Sequence, residues 1–395
     1  VRPDLLDALL TPAGAAALAA AEAAADRPDP LAAAAAVRAA GVPADLAAAA
    51  STQVALRRAA RGKFGEDAAR MLFTRPGLEQ ATRSAVATRR ARRLAASGAT
   101  HVADLGCGIG ADTIAMARAG LRVTAVDADP LTAAVAAANV AALGLADRVS
   151  VRRADATAVD LSGVDAVFCD PARRSGTGRR LFDPAAYSPP WDFVTGLPAR
   201  VPRTVLKLAP GIDRALLPTG AEAEWVSADG DVVEAAAWCG PLAAVPRRAS
   251  LLRAGTWHEL TGTGEHRAPV GVPGPVLYDP DGAVLRAHLL AEFAAGLDGR
   301  LADPDIGYVF ADRPADTPFA RRLLVEEIMP FSLKRLRARL RDRGVGRLTI
   351  RKRGSALDPQ RLRADLRLSG PNEAGLVLTR VAGAPTAILC AEPAP

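Results

Sequence analysis

The stretch Val102-Ala-Asp-Leu-Gly-Cys-Gly-Ile-Gly110 decides how the middle of this chain is read. It continues a short apolar run, His101–Leu105, and opens a segment of helical composition. Glycines at 106, 108 and 110 let the backbone turn tightly and bring its N–H groups against a ligand. Several nucleotide-type ligands use such a loop, so the surrounding residues must carry the distinction. Apolar runs recur at Arg122–Asp127, Val149–Arg152, Val164–Cys169 and Thr204–Leu208, separated by helical or loop stretches. That alternation predicts an α/β fold with a doubly wound, mostly parallel, Rossmann-like sheet, whose strand C-terminal ends share one ligand-binding edge. Glu222–Ser227 reads as a sixth strand, and Val232–Leu252 holds a seventh without clear bounds.

Three acids stand at successive strand tips. Asp104 lies just before the glycines, where a carboxylate repels a pyrophosphate but suits the cationic methionine end of S-adenosylmethionine. Asp127 ends the next strand and can accept from both hydroxyls of a ribose. Asp155, in Val151-Arg-Arg-Ala-Asp-Ala156, can accept from an adenine amino group. One nucleoside along the sheet edge satisfies all three; the competing readings are a nicotinamide-binding fold, or acids that merely cap helices. The fourth tip reads Val167-Phe-Cys-Asp-Pro-Ala-Arg-Arg174. There Asp170 can orient a nucleophile or accept its proton, and Pro171 stiffens the turn. Arg173 and Arg174 can contact phosphate or a guanine edge. A helix cap at Asp170 and a basic loop before Ser175–Gly178 are the plainer alternatives. Lys207 reads equally as a cleft residue or a solvated strand end.

The segments Asp104–Gly110 (DLGCGIG), Val126–Asp129 (VDAD) and Arg153–Ala156 (RADA) closely resemble motifs I to III of class I S-adenosylmethionine-dependent methyltransferases. The resemblance implies that cofactor, with Asp104, Gly106, Cys107, Gly108 and Gly110 at its methionine end, Asp127 at the ribose and Asp155 at the adenine. Asp170–Arg173 (DPAR) is similar to the motif IV of nucleic-acid methyltransferases, most of all the variant in 5-methyluridine enzymes. Those enzymes need a cysteine nucleophile after their next strand. Here that place reads Leu206-Lys-Leu-Ala-Pro-Gly211, and Cys169 sits inside its strand. Direct attack by a base nitrogen, which needs only proximity, orientation and one base, is the expectation. The whole chain resembles a bacterial group with a helical front end, a DPARR-bearing methyltransferase domain and a C-terminal THUMP-like domain. Lys63–Gly65 (KFG), Phe73–Thr82 (FTRPGLEQAT) and Ile350–Gly354 (IRKRG) carry that likeness. Cap-hypermethylating guanosine methyltransferases also have a segment before motif I that closes over the cofactor. That analogy implies Thr74, Glu79 and Gln80 at the pocket, where helix start and packing account for them equally well.

At 395 residues, half apolar and 24% charged, the chain is globular and long enough for two or three cores. Four expected parts follow: a helical domain at 1–97, a methyltransferase domain at 98–253, a Gly/Pro/Asp-rich connecting region at 254–320, and a small α+β domain at 321–395. A helix running from Gly77 to Gly98 should turn Leu78, Ala81, Ala85 and Leu94 inward, and Arg83, Arg89, Arg90 and Arg93 outward. The net charge of +7 is uneven: residues 101–320 carry 20 Lys/Arg against 27 Asp/Glu, and residues 321–395 carry 16 against 7. Lys334–Arg353 alone holds ten basic residues and one acid. THUMP domains bind RNA, so a structured RNA such as tRNA or rRNA is the expected partner, gripped by phosphate contacts. Four scattered cysteines without a CxxC pair argue against a metal site or disulfide framework and suit a reducing cytoplasm. No run is long and apolar enough for a membrane span. The leading expectation is a methyltransferase for an RNA base nitrogen. A protein or small-molecule acceptor, and a non-catalytic RNA-binding or assembly factor retaining the cofactor fold, are the alternatives; nothing in the sequence sets the oligomeric state.

Overall fold

The computed structural model describes residues 3–27, 30–173 and 187–391. The chain falls into two compact units, one of Val1–Leu208 with Ala215–Ala221 and Ala237–Ala243, the other of Ala209–Arg214, Glu222–Ala236 and Ala244–Pro395.

The first unit opens with helices α1 (Pro3–Leu9), α2 (Pro12–Ala24), α3 (Pro30–Ala39) and α4 (Ala44–Phe64). Alanine is the best helix former and loses no side-chain entropy, so these helices pack through small faces. Ala17, Ala21, Ala24, Ala47 and Ala50 meet Leu9, Val37, Leu46 and Val54 in one core. Helices α5 (Arg75–Gln80) and α6 (Ser84–Ala96) follow. The single helix expected from Gly77 to Gly98 is therefore two, because Ala81 (ψ 138°) and Arg83 (ψ 137°) leave helical backbone. The break re-aims the second half. Ala85 is exposed and Arg90 buried, the reverse of the expected faces. Arg90 pairs with Asp112 at a helix start 22 positions on, and its guanidinium lies 4.7 Å from the Phe168 ring centroid. Arg93 stacks on Trp238 at 3.9 Å and donates to the Leu242 carbonyl at 2.7 Å. Each arginine is turned inward by a partner far away in sequence, which helical periodicity cannot register.

Then come β1 (His101–Leu105), α7 (Ala111–Arg118), β2 (Arg122–Asp127), α8 (Pro130–Ala142), β3 (Val149–Arg153), β4 (Ala166–Cys169), the two-residue pair β5 (Ala172–Arg173) and β6 (Tyr187–Ser188), α9 (Trp191–Arg200) and β7 (Thr204–Leu208). Strand β1 pairs in parallel with β2 and β4, β2 with β3, and β4 with β7, giving the order β3-β2-β1-β4-β7. The central strands are apolar on both faces because helices cover both, as a parallel sheet requires. All four strand tips that carry predicted site residues lie on one edge.

The second unit contains β8 (Glu222–Ala228), all but the last two residues of β9 (Asp231–Trp238), β10 (Arg247–Arg253) and β11 (Thr256–Gly262). Strand β10 runs parallel to β8 and antiparallel to β11. The expected seventh strand is thus two strands, with a hairpin partner that the sequence reading left in the connecting region. That region is largely strand and helix: β12 (Val276–Pro280), α10 (Gly282–Arg286), α11 (Leu290–Ala295), β13 (Arg300–Leu301) and β14 (Val309–Ala311). Its strands are short and set among Gly, Pro and Asp, which is why composition alone reads as loop. They join β15 (Ala320–Pro330), β16 (Val345–Lys352), β17 (Asn372–Val381) and β18 (Ala384–Ala391) in the order β13-β14-β12-β15-β18-β17-β16. Helices α12 (Leu333–Asp342) and α13 (Pro359–Leu366) complete it. Alternation along β17 explains the layering. Leu376 and Leu378 face Leu336, Leu340, Leu362 and Leu366, while Val377 faces Leu277, Tyr308 and Phe310.

Replacing Arg90 by Met should cost about 3–5 kcal/mol, because Asp112 is left charged and buried. Asp112→Leu should cost a similar amount, and the double variant should recover most of the loss. Urea unfolding of the three variants measures this; additive losses would show that the pair is not coupled.

Candidate active site

The glycine loop is held between two strand tips. Gly106 N and Cys107 N donate to the Val126 carbonyl at 3.0 and 2.9 Å, and Asp170 N donates to the Leu105 carbonyl at 3.1 Å. Gly106 has φ +89°, and a Cβ there would meet the Asp170 carbonyl oxygen at 2.7 Å. Only glycine allows β1 to turn this close to the DPAR segment. The loop then enters α7.

Asp104 is fully buried beneath this turn. Its Oδ2 accepts from the Thr113 hydroxyl, whereas Oδ1 has no hydrogen-bond partner among the described residues. Burial pushes its carboxyl up to about 8, against the Thr113 hydrogen bond that favours the charged form. Asp127 ends β2 with Oδ2 accepting from Gly108 N at 3.1 Å and Oδ1 from Asp129 N at 2.9 Å. Burial raises its carboxyl, and these two backbone bonds oppose the rise. Asp155 is exposed and caps the short helical turn Ala156–Ala158, with Oδ1 accepting from Thr157 N and its hydroxyl. The plainer reading of Asp155 as a cap therefore describes its geometry, with Oδ2 receiving no donor among the described residues. Cys107 is buried in the loop, and desolvation with the nearby Asp104 and Asp127 pushes its thiol well up.

At the β4 tip, Lys207 Nζ from β7 lies 2.5 Å from Asp170 Oδ2. Lys207 is thus a partner of the predicted reaction-centre acid. Pro171 is buried. Arg173 pairs through its backbone with Tyr187, its side chain being outside the description, and Arg174 lies outside the described residues. Cys169 is fully buried, and desolvation pushes its thiol well above the ordinary range. A thiol so held is not a nucleophile at neutral pH.

The segment before motif I is fastened to this loop by residues that pattern reading did not single out. Asn139 of α8 accepts from Leu72 N at 2.7 Å and donates to the Leu72 and Ile109 carbonyls, both at 3.0 Å. Gln53 of α4 holds both backbone groups of Phe73, at 2.7 and 2.9 Å. Lys63 donates to the carbonyls of Leu78, Glu79 and Ala81 at 2.7, 2.8 and 3.1 Å, closing the C-terminal end of α5. Burial lowers its ammonium, reinforced by Arg83 and Lys207. A Cβ on Gly77 would meet Ile109 Cγ2 at 2.4 Å, so α5 rests directly on the glycine loop. Thr74 is the N-cap of α5, accepting from Gly77 N at 3.0 Å, and Glu79 and Gln80 are exposed. The signal available in the sequence was an amide at a position facing an alanine-lined core, as at Gln53 and Asn139.

A model of the methyltransferase domain matches residues 102–174, one of a THUMP-like domain matches 320–392, and one of a domain of unknown function matches 3–60. A Mycobacterium tuberculosis protein (strain H37Rv) described as an S-adenosylmethionine-dependent methyltransferase is 38% identical over 343 residues, covering 82% of this chain and 90% of its own. The chain belongs to the S-adenosylmethionine-dependent methyltransferases. It is a class I enzyme with S-adenosylmethionine as its cofactor and a C-terminal THUMP-like domain. The crystal structure of a protein from Porphyromonas gingivalis W83 described as a methyltransferase shares the fold, with a TM-score of 0.76, 21% identity and full coverage of both chains. A shorter likeness, 32% over 109 residues, links 26% of this chain to 24% of the 23S rRNA (uracil(1939)-C(5))-methyltransferase of Acidithiobacillus ferrooxidans.

In the THUMP-like domain, much of the basic run is already engaged. Arg339 and Arg343 pair with Glu327 at 2.6 and 2.9 Å, and Arg343 also with Glu326. Arg347 pairs with Glu373, and Arg353 with Asp279 at 2.7 Å. Lys334 and Arg335 are exposed on α12. The open cleft lined by Leu285, Ile306, Arg353 and Gly354 brings together none of the predicted cofactor residues. Among the described residues no cluster of potential metal ligands occurs, and no helix is long and apolar enough to cross a membrane.

Because the folded state keeps Asp104 protonated up to about pH 8, while an unfolded aspartate ionises near about pH 4, the native protein holds the extra proton between them. Its contribution to stability is complete below that window and is lost as pH rises through it. Denaturant unfolding of the cofactor-free protein should therefore show a stability advantage of Asp104→Asn over the parent that grows from pH 5 to pH 8. A difference independent of pH would contradict the buried, protonated carboxyl.

Proposed function

We propose that this enzyme transfers the methyl group to a nucleobase nitrogen of a structured RNA. The observation that carries the reading is Asp170, whose carboxylate stands at the β4 tip beside the glycine loop, its Oδ2 held by Lys207 and its Oδ1 without a donor among the described residues. Oδ1 is left to meet an acceptor N–H. The inert Cys169 removes the nucleophile that addition at a pyrimidine carbon needs. The THUMP-like domain supports an RNA substrate, and the relative from Acidithiobacillus ferrooxidans acts on rRNA.

The residues at the sheet edge fit the cofactor. The unpartnered Oδ1 of Asp104 is a buried acceptor suited to a cationic amino acid end. Each oxygen of Asp127 takes one backbone N–H and keeps a lone pair for a ribose hydroxyl. Gly106, Cys107, Gly108 and Gly110 would hold the methionine end, and Asp155 would accept from the adenine amino group. When bound, the cofactor supplies an electrophilic methyl group on sulfur. The chain orients the acceptor through Asp170 and Pro171, and Arg173 and Arg174 steady the RNA beside it. On α12, Lys334 and Arg335 remain for phosphate contacts.

Cofactor binding should release about one proton below pH 8, as the Asp104 carboxyl ionises to meet the ammonium. Calorimetry in buffers of different ionisation enthalpy measures this release, and Asp104→Asn should abolish it while weakening binding at least about tenfold. A parent protein that releases no proton would displace Asp104 from the cofactor site. The RNA reading is tested by nucleoside mass spectrometry of RNA from cells with and without the gene, with transfer of labelled methyl by the purified enzyme. A nucleoside lost on deletion and restored in vitro is the expected result, and no change in either assay defeats the reading. Changing Lys334 and Arg335 to Glu in the full chain should lower the slope of log affinity against log salt by about 1.8 for two lost phosphate contacts. Removing residues 321–395 is unsuitable for this test because β12 would lose its partner β15.

A further inference from the structure

The charge arrangement around Asp170 distinguishes two kinds of base nitrogen. Lys207 Nζ sits 2.5 Å from Asp170 Oδ2, and both side chains are partly accessible, at 14% and 32%. Asp170 Oδ1 receives no donor among the described residues. Lys207 is close enough to Lys63 for their mutual repulsion to lower the Lys63 ammonium, after the larger effects of burial and Arg83. Lys63 has its N–H groups on three backbone carbonyls, so its charge is held in place without a carboxylate. An acceptor approaching Oδ1 therefore meets one carboxylate whose other oxygen is held by an ammonium.

Methylating an exocyclic amine directly builds positive charge on its nitrogen before the proton leaves, and a neighbouring ammonium opposes that. A lactam behaves oppositely. As its ring N–H gives up the proton, negative charge spreads to the adjacent carbonyl oxygen, where an ammonium donor stabilises it. A carboxylate oxygen beside an ammonium also matches a lactam edge, accepting from its N–H while donating to its C=O.

We propose that the acceptor is a lactam ring nitrogen, as in N1 of guanine or N3 of uracil, and that Lys207 is a catalytic residue donating to the lactam oxygen; this rests on the nucleobase reading above. The N–H proton passes to Asp170 Oδ1. The ring nitrogen's electron pair forms the N–CH3 bond as the S–CH3 bond of the sulfonium breaks, and that bond's pair stays on sulfur. The products are a neutral methylated base, S-adenosylhomocysteine and a protonated Asp170, which returns its proton to water.

The test incubates the full-length enzyme and labelled S-adenosylmethionine with RNA from a gene-deleted strain, then identifies the labelled nucleoside. The expected product is 1-methylguanosine or 3-methyluridine, and its identity tells which base supplies the lactam. N2-methylguanosine, N6-methyladenosine or 5-methyluridine would overturn the inference and leave an RNA base methyltransferase. No labelled nucleoside would remove both. Lys207→Met should lower kcat by about 100-fold with little change in KM, the signature of a contact strengthened in the transition state. Lys207→Arg should recover part of that loss. S-adenosylhomocysteine affinity within twofold of the parent shows that each variant keeps its cofactor site. A Lys207→Met enzyme with that affinity and undiminished kcat would also overturn the inference.

Discussion

A backbone contact with no room for a side chain governs this active site. The Asp170 carbonyl comes so near to Gly106 that a Cβ would lie 2.7 Å from it. The contact joins the tip of β1, which supplies the cofactor loop, to the tip of β4, which supplies the acid. The parallel order β3-β2-β1-β4-β7 puts those tips side by side, but strand pairing alone would leave the loop free to swing. The Leu105, Val126 and Asp170 backbone bonds remove that freedom. The glycine loop and Asp170 are consequently fixed relative to one another by main chain. That is the economical way to secure the alignment that methyl transfer requires, since main chain positioned by a sheet has no rotamers to order.

The helical segment before the sheet extends the same logic through side chains. Asn139 and Gln53 replace the hydrogen bonds that Leu72, Phe73 and Ile109 would otherwise make with water, so an irregular segment can be buried without orphaned backbone groups. Gly77 then lets α5 rest on Ile109, and Lys63 closes its far end. The consequence for the site is electrostatic as well as steric. Lys63 is placed there to hold carbonyls, yet it is near enough to Lys207 for the two charges to repel one another.

Much of this was legible because it is local. The glycine loop, the acids at the strand tips and strands β1, β2 and β7 follow from short apolar runs ending at special residues, and their bounds agree with the structure. The small α+β character of residues 321–395 was legible for the same reason, as alternation along β17 shows. What escaped depends on partners distant in sequence. Arg90 faces inward because Asp112 and Phe168 receive it, and Arg93 because Trp238 does. Strands β12 to β14 are short segments among turn residues, and β12 becomes regular by pairing with β15 about 45 positions later. Asn139 and Gln53 look like unremarkable helix residues until the segment they clamp is in place.

The basic C-terminal run shows how far composition can mislead about function while pointing in a useful direction. Ten cations in twenty residues suggest a surface given over to phosphate, but Arg339, Arg343, Arg347 and Arg353 have carboxylates of their own. Exposed pairs of this kind contribute little to stability and exchange readily, so an incoming phosphate could take an arginine from Glu327 or Glu373 at small cost. Arg353 is different. Asp279 holds it through two bonds, the Pro280 carbonyl through a third, and the Tyr308 ring lies beneath it. Releasing Arg353 would break several partly buried contacts together. Within the IRKRG segment, Arg353 thus braces β12 against the end of β16, a structural duty that charge counting alone would assign to RNA.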